Sequence, residues 1–228
     1  MPKRLRLSHV VLSLGAGGTE RLVIDLCKGL RDVADLQVLC LDDLGVWAVE
    51  LQDVGIPVIR LGRRPGFDWR LIRKVAHHLG DHRAEVVHCH HYTPFIYGAL
   101  GSLFGPRARV VYTEHGRLTD EPWTLKRKLA NGLFGRLPGA FFALSQNLRD
   151  HMVEGGMPDQ RVGVVYNGIP PGEVPDAAAR AAARAEFGVP DDAYVVGTVA
   201  RLDPVKDLPN LLRAHSALRE SNPRAHLV

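Results

Sequence analysis

The sequence predicts an α/β protein: a Rossmann-like parallel sheet with helices on both faces, then the beginning of a second, incomplete Rossmann-like domain. Three observations carry that expectation. Short apolar runs alternate with helical patterns almost from end to end, as crossover-connected parallel strands do. A glycine-rich turn, Leu14-Gly15-Ala16-Gly17-Gly18-Thr19-Glu20, joins the first strand to the first helix. The alternation breaks at Tyr166-Asn167-Gly168-Ile169-Pro170-Pro171-Gly172 and then resumes.

The first strand, 5–14, is an apolar run interrupted by Ser8 and His9. Leu22, Leu26 and Leu30, with Val23 beside them, form the buried stripe of a helix over 20–30. Further strands are expected at 36–41, 58–61, 86–88, 110–114, 140–144 and 162–166. Between them lie helical patterns at 46–54, 69–79, 95–104, 125–134 and 146–154. Beyond the break, an Ala/Arg-rich helix over 177–187 stops at Gly188 and Pro190. The apolar run 194–200 reads as a buried strand, and Leu208, Leu211, Leu212 and Leu218 mark the helix after it. A further strand starts at 225–228. The expected organisation is therefore a first domain at 1–170, a linker and helix at 171–190, and one βα unit of a second domain at 191–228. That last piece is too small to bury a core of its own, so it is expected to continue.

Composition narrows the class. With 228 residues, 46% hydrophobic and 24% charged, the chain reads as an ordinary globular protein. Its net charge of +4 favours an anionic partner without naming one. No stretch approaches the roughly 18 apolar residues of a membrane span. The basic start, Lys3 to Arg6, leads into a short run with no small-residue cleavage site, so a first strand is expected there and not a signal peptide. Cys27, Cys40 and Cys89 form no C-x-x-C pair and read as buried free thiols in a reducing cytoplasm. The basic residues are not interleaved with stacking aromatics, which argues against nucleic acid as a partner.

Four segments carry chemistry. In the glycine turn, backbone N–H groups at a helix N-terminus suit an anion. A dinucleotide site would place a third glycine where Glu20 stands, although Asp42 and Asp43 do follow the second strand as such a site requires. A sugar- or phosphate-contacting loop is the favoured reading; a tight turn and a dinucleotide loop are the others. In Val86-Val87-His88-Cys89-His90-His91, the side chains of His88 and His90 share a face and Cys89 points away. The spacing matches no standard zinc pattern, so these histidines, His90 among them, are expected to line the mouth of the sheet without a metal. His115, between Glu114 and Gly116 at the next strand end, suits a contact to a sugar hydroxyl or a proton relay; a surface loop histidine is the alternative. Finally, Val199-Ala200-Arg201-Leu202-Asp203-Pro204-Val205-Lys206-Asp207-Leu208 puts two cations between a strand and a helix, an arrangement suited to a diphosphate.

Taken in order, the glycine turn, Glu85-Val86-Val87-His88-Cys89-His90, Thr113-Glu114-His115-Gly116, Ala143-Leu144-Ser145, Val165-Tyr166-Asn167-Gly168-Ile169 and the Arg201 to Lys206 turn resemble family 4 glycosyltransferases of the GT-B fold. The resemblance runs from residue 5 to the chain end. It implies two Rossmann-like domains with a nucleotide-diphosphate sugar between them, and transfer with retention that needs no metal or other cofactor. It further implies that Gly17 and Gly18 face donor phosphate and acceptor, and that His115 lies near the reacting carbon. Arg201 and Lys206 would hold the diphosphate as it leaves, and Asn167 and Gly168 would lead into the hinge. The paired glutamates of the family pattern fall beyond Val228, so this chain is expected to transfer little by itself. The implied partners are a nucleotide-sugar donor and a glycan or lipid-linked acceptor.

A membrane contact has its own sequence support. Trp123, Lys126, Arg127, Lys128, Leu129, Leu133, Phe134 and Arg136 fall on one expected helix. Such a segment can lie in a membrane interface, though a helix with one core face and one solvated basic face is the preferred reading. Arg60, Arg63, Arg64, Arg70, Arg73 and Lys74 allow the same two readings. The expected place is the cytoplasm, with peripheral attachment to the inner membrane face as the variant. Two other functions stay open: a non-catalytic acceptor- or partner-binding subunit of the same origin, and a nicotinamide-dependent dehydrogenase, which Glu20 disfavours.

Overall fold

The computed structural model of the chain describes residues 3–116, 123–168, 172–200 and 202–228. It divides into two compact units, Met1–Gly168 and Ile169–Val228.

The first unit is a seven-stranded sheet in which every pairing is parallel. Its strands are β1 (Leu5–Val11), β2 (Ala34–Cys40), β3 (Val58–Arg60), β4 (Val86–His90), β5 (Arg109–Glu114), β6 (Gly139–Ala143) and β7 (Val162–Val164). Among the described residues, six helices connect them: α1 (Gly18–Leu30), α2 (Ala48–Gln52), α3 (Trp69–Asp81), α4 (Tyr92–Phe104), α5 (Leu125–Phe134) and α6 (Gln146–Glu154). The order is β3-β2-β1-β4-β5-β6-β7, so the winding reverses between β1 and β4. In open parallel sheets that reversal parts the strand ends into a crevice where ligands bind.

Alternation along β1 and β2 feeds two cores. Val10 and Leu39 join Leu71, Val75, Leu79 and Phe95 of α3 and α4 on one face. Leu7, Val11, Val38 and Cys40 join Val23, Ile24 and Cys27 of α1 and Leu51 of α2 on the other. Helices therefore cover both faces, as the sequence predicts.

Three boundaries differ from expectation near the crevice. β1 ends at Val11, not residue 14, because the chain turns to lie against the loop after β2. There the Leu14 N–H donates to the Leu44 carbonyl at 2.8 Å, and the Trp47 N–H donates to the Leu14 carbonyl at 3.0 Å. Gly45, at φ +79°, makes this possible, since a Cβ would lie 2.1 Å from the Leu14 carbonyl carbon. With residues 44–47 held in that loop, α2 shrinks to one short turn and a half. β4 runs on to His90, and α4 starts directly after it at Tyr92.

The second unit carries α7 (Ala177–Glu186), β8 (Tyr194–Val196), α8 (Leu208–Ser221) and β9 (Ala225–Leu227), with β8 and β9 paired in parallel. The expected buried strand over 194–200 is corrected: only Tyr194–Val196 is strand, and Tyr194 is 59% exposed. A two-stranded sheet offers too little surface to enclose the apolar run on both sides.

Candidate functional site

At the reversal point, the end of β1 and the ends of β4 and β5 bring five histidines together. Register sets the first pair, for His9 on β1 lies opposite His88 on β4. Their side chains and that of His90 share the α1 face, while Cys89 points the other way, its Sγ 2.3 Å from where a Cβ on Gly98 would stand. The imidazoles form a chain: His9 Nδ1 bonds to His90 Nε2 and His90 Nδ1 to His115 Nε2, each at 3.0 Å. The His88 ring lies against His90 with centroids 4.1 Å apart and bonds through Nε2 to the Thr113 hydroxyl at 2.9 Å. Burial disfavours imidazolium here. It pulls His9 and His115 down to about 4 and His88 to about 3, and takes His90 well below its ordinary value. His9, His88, His90 and His115 are therefore neutral at physiological pH.

Beside this chain runs a second one. The Glu114 carboxylate, only 7% exposed, accepts the Tyr112 hydroxyl, the His115 backbone N–H at 3.1 Å and His91 Nδ1 at 2.9 Å. Burial, then the adjoining carboxylate, pushes the Tyr112 hydroxyl well above its ordinary range, which keeps it a donor. His91 Nε2 in turn meets the Thr19 hydroxyl at 3.0 Å, on the first turn of α1. The backbone at His91 has φ +73° and ψ 166°, a region essentially reserved for glycine. Its N–H donates to the Thr113 carbonyl at 3.0 Å.

The glycine turn completes the site. Gly17 is the N-cap of α1 and Gly18 its first residue, and among the described residues no side chain caps the helix start. A Cβ on Gly17 would lie 2.2 Å from Glu20 Oε2, so the residue disfavouring a dinucleotide loop is also the one that crowds this position. The first-turn N–H groups are thus left for water or a ligand.

Of the expected site residues, the structure bonds His90 to His115, while Gly17 and Gly18 directly precede Thr19, which bonds to His91. His90, however, is 1% exposed with both ring nitrogens engaged, so it reaches the mouth through His115 and not by lining it. Asn167 stands exposed after β7. Lys206 ends a short 3-10 turn, Pro204–Lys206, in the second unit, and is exposed. Arg201 lies outside the described residues. His9, Thr19, Glu114 and Tyr112 are not singled out by sequence; His91 is, as one of three histidines at the end of β4, but without its partners. The parity of β1 and β4 could have flagged His9, but the backbone of His91 leaves no trace in residue type.

As for metals, ring nitrogens of His9, His88 and His90 lie within 4.8 Å of one another. A tetrahedral ion would need them roughly 3.3 Å apart, and His9 and His90 already bond to each other. The acidic residues after β2 are also committed: Arg63 grips Asp42 at 2.7 and 3.0 Å, and Arg60 pairs with Asp43 at 2.8 Å.

α5 has the core face and the solvated basic side of the preferred reading, but leucines share that solvated side. Its core-facing side is made by Asn131 and Phe134, whereas Leu125, Leu129 and Leu133 are 74%, 68% and 68% exposed. Their spacing of four puts them in one outward stripe, with Lys126 and Lys128 alongside. Among the described residues no helix is long and apolar enough to cross a membrane.

Residues 16–173 match the sequence profile of Glycosyltransferase Family 4. No curated protein matches the chain. Among solved structures, the chain is similar to HepE of Anabaena in complex with UDP and glucose, at 24% identity and a TM-score of 0.78, with 98% of this chain covering 60% of that one. It is also similar to a glycosyltransferase of Rickettsia africae, at 16% identity and a TM-score of 0.79, over 98% of this chain and 60% of that chain. The UDP-GlcNAc 2-epimerase of Methanocaldococcus jannaschii is more distant, at 16% identity and a TM-score of 0.56, over 98% and 65%. At these identities the likeness is one of fold. The chain spans about 60% of the length of the first two proteins.

Proposed function

The chain belongs to glycosyltransferase family 4, and we propose that it serves a transfer of a sugar, with retention, from a nucleotide-diphosphate sugar to a glycan or lipid-linked acceptor. One observation carries this reading: an uncapped helix start with Gly17 and Gly18 stands beside the bonded histidine and glutamate networks at the point where the sheet reverses. Fixed polar groups beside backbone N–H groups suit hydroxyls and phosphate, and cost no rearrangement when charge develops. That HepE is seen with UDP and glucose supports a nucleotide-sugar donor for a chain of similar fold.

In this proposal Gly17 and Gly18 face phosphate and acceptor, and His115 contacts the sugar near its reacting carbon. Arg201 and Lys206 hold the diphosphate, and Asn167 leads towards the second unit. No metal takes part. The exposed leucine stripe of α5, flanked by lysines, supports peripheral attachment to the cytoplasmic face of an anionic membrane, where a lipid-linked acceptor would be found. The dehydrogenase alternative loses its ribose-binding candidate, because Arg63 occupies Asp42. A partner-binding subunit remains the second reading, and the α5 stripe is the observation that favours it.

Calorimetric titration with UDP, UDP-glucose, GDP and NADH tests the assignment. Binding of a nucleoside diphosphate or its sugar, with no response to NADH, is expected. Tight NADH binding alone would overturn it.

A further inference from the structure

We propose that the arginine-lined cavity at the start of β1, β4 and β5 binds a small soluble anion with linked phosphates, of the inorganic pyrophosphate type. This site is separate from the one at the glycine turn and does not depend on the transferase reading. It lies at the opposite end of the sheet, since β1 rises roughly 17 Å between Arg6 and its last residue, Val11.

A cavity of about 450 Å3 opens there between the ends of α3 and α4. Arg6, Arg83, Arg107 and Arg109 line it, and Glu85 is the one acid in its wall. That acid is already engaged: Glu85 accepts Lys3 Nζ at 2.6 Å and the Arg6 backbone N–H at 3.2 Å. Arg6 Nε in turn donates to the Arg83 carbonyl at 2.8 Å. Among the described residues, the guanidinium groups of Arg83, Arg107 and Arg109 have no hydrogen-bond or ion-pair partner. The wall carries no aromatic or large apolar side chain, so neither a nucleobase nor an acyl chain finds a surface to pack on. Guanidinium forks meet phosphate oxygens in pairs. Three unpaired cations around one cavity suit an anion of more than one charge.

The backbone is an independent pointer. α3 closes with the Arg83 N–H donating to the Gly80 carbonyl and the Ala84 N–H to the Leu79 carbonyl, each at 2.9 Å, with Arg83 at φ +50°. The same pair of bonds closes α2, α6 and α7, and there Gly55, Gly156 and Gly188 stand in the place of Arg83. Glycine is the usual residue in that place because a Cβ is strained in left-handed backbone. The loop after α4 repeats the exception, with Arg107 at φ +56°. A cation does gain at a helix C-terminus, but at an exposed end the gain is smaller than the strain. Two strained arginines turned to one cavity are explained by a ligand better than by the helix ends.

Amide NMR of the 228-residue chain, titrated with inorganic pyrophosphate in a Lys206→Ala background, tests this. That background keeps binding by the second unit out of the readout. Saturable shifts are expected at residues 83–85 and 107–109. Arg83→Gly and Arg107→Gly should each weaken binding about tenfold or more, while Tm holds or rises as strain is relieved. Glu85→Gln should tighten binding, and Arg219→Ala, an equal change of charge on α8, should leave it unaltered. Shifts absent from those residues, or wild-type affinity in both glycine variants, would overturn the site. A fall in Tm with affinity kept would make the arginines stabilisers of the helix ends and refute a ligand. A polyglutamate peptide that binds more tightly than pyrophosphate would make the cavity a docking point for an acidic protein, against the phosphate assignment. So would phosphatidylglycerol vesicles that sediment a chain with serine at Leu125, Leu129 and Leu133 but release it on Arg83→Gly: a lipid headgroup would then be the occupant in place of a soluble anion.

Discussion

Replacing Gly45 by alanine should unfold the first unit at a much lower temperature, and the structure sets the size of the effect. A Cβ there would lie 2.1 Å from the Leu14 carbonyl carbon, 2.3 Å from the Gly15 nitrogen and 2.4 Å from the Leu14 oxygen. All three are backbone atoms, so no side chain can rotate away. The strain of positive φ in a residue with a Cβ is about 1–2 kcal/mol. Overpacking adds roughly 1–3 kcal/mol, and the two hydrogen bonds that pin Leu14 to the neighbouring loop are worth about 1 kcal/mol each. Together these come to about 4 kcal/mol or more, which for a domain of this size is a fall in Tm of roughly 10 °C. Gly55 is the internal control: its φ is +77°, with nothing within 4 Å of an added Cβ. Gly55→Ala should therefore show only the conformational part, about 3–4 °C. Differential scanning calorimetry of both variants settles the matter. If Gly45→Ala melts no earlier than Gly55→Ala, the loop does not buttress the glycine turn as described.

The buried histidines make stability pH-dependent. Below about 6.5 the unfolded chain takes up protons that folded His9, His88 and His115 refuse until about 4, 3 and 4, so stability is whole above pH 6.5 and falls towards 4. Urea midpoints from pH 7.5 to 5 should show that decline, shallower by about one proton in His9→Phe; a flat profile would contradict neutral burial. Serine at Leu125, Leu129 and Leu133 together should abolish co-sedimentation with vesicles containing anionic lipid while leaving Tm within about 2 °C, since exposed positions contribute little; binding unchanged by the triple variant would remove α5 from any membrane contact. Arg201→Ala and Lys206→Ala should each weaken UDP binding by about tenfold or more in calorimetry, as loss of a charge-assisted phosphate contact does; unaltered affinity in both would dismiss the diphosphate assignment.

What the sequence disclosed and what it hid divide along physical lines. The first helix and the apolar strands were legible because period and burial are written in residue type, although the buried face of α1 is Val23, Ile24 and Cys27 and the expected stripe Leu22, Leu26 and Leu30 is only partly buried. The glycine turn and His115 were legible as positions at strand ends. Glu114 was quoted within a motif but not read, since a carboxylate's role depends on Tyr112 and His91, which converge on it only in three dimensions. His9 reads in the sequence as a flaw in an apolar strand; only the pairing of β1 with β4 turns it into a partner for His90. On α5, the mixed aromatic, aliphatic and basic residues left open which side faces the core, because that depends on what the neighbouring elements offer. There Asn131 bonds to the Gly155 carbonyl at 2.8 Å and Phe134 fills the core.

The imidazole chain obeys a parity rule. Three neutral rings carry three N–H hydrogens, and the two bonds among His9, His90 and His115 consume two of them. The third must sit at one end, on His9 Nε2 or on His115 Nδ1, and these two atoms are both buried without a partner among the described residues. The ends are therefore complementary: when the buried His115 Nδ1 carries a lone pair, His9 Nε2 holds a hydrogen, and the reverse. Whatever decides the tautomer of His115 thereby sets that of a ring two places away, inside the core.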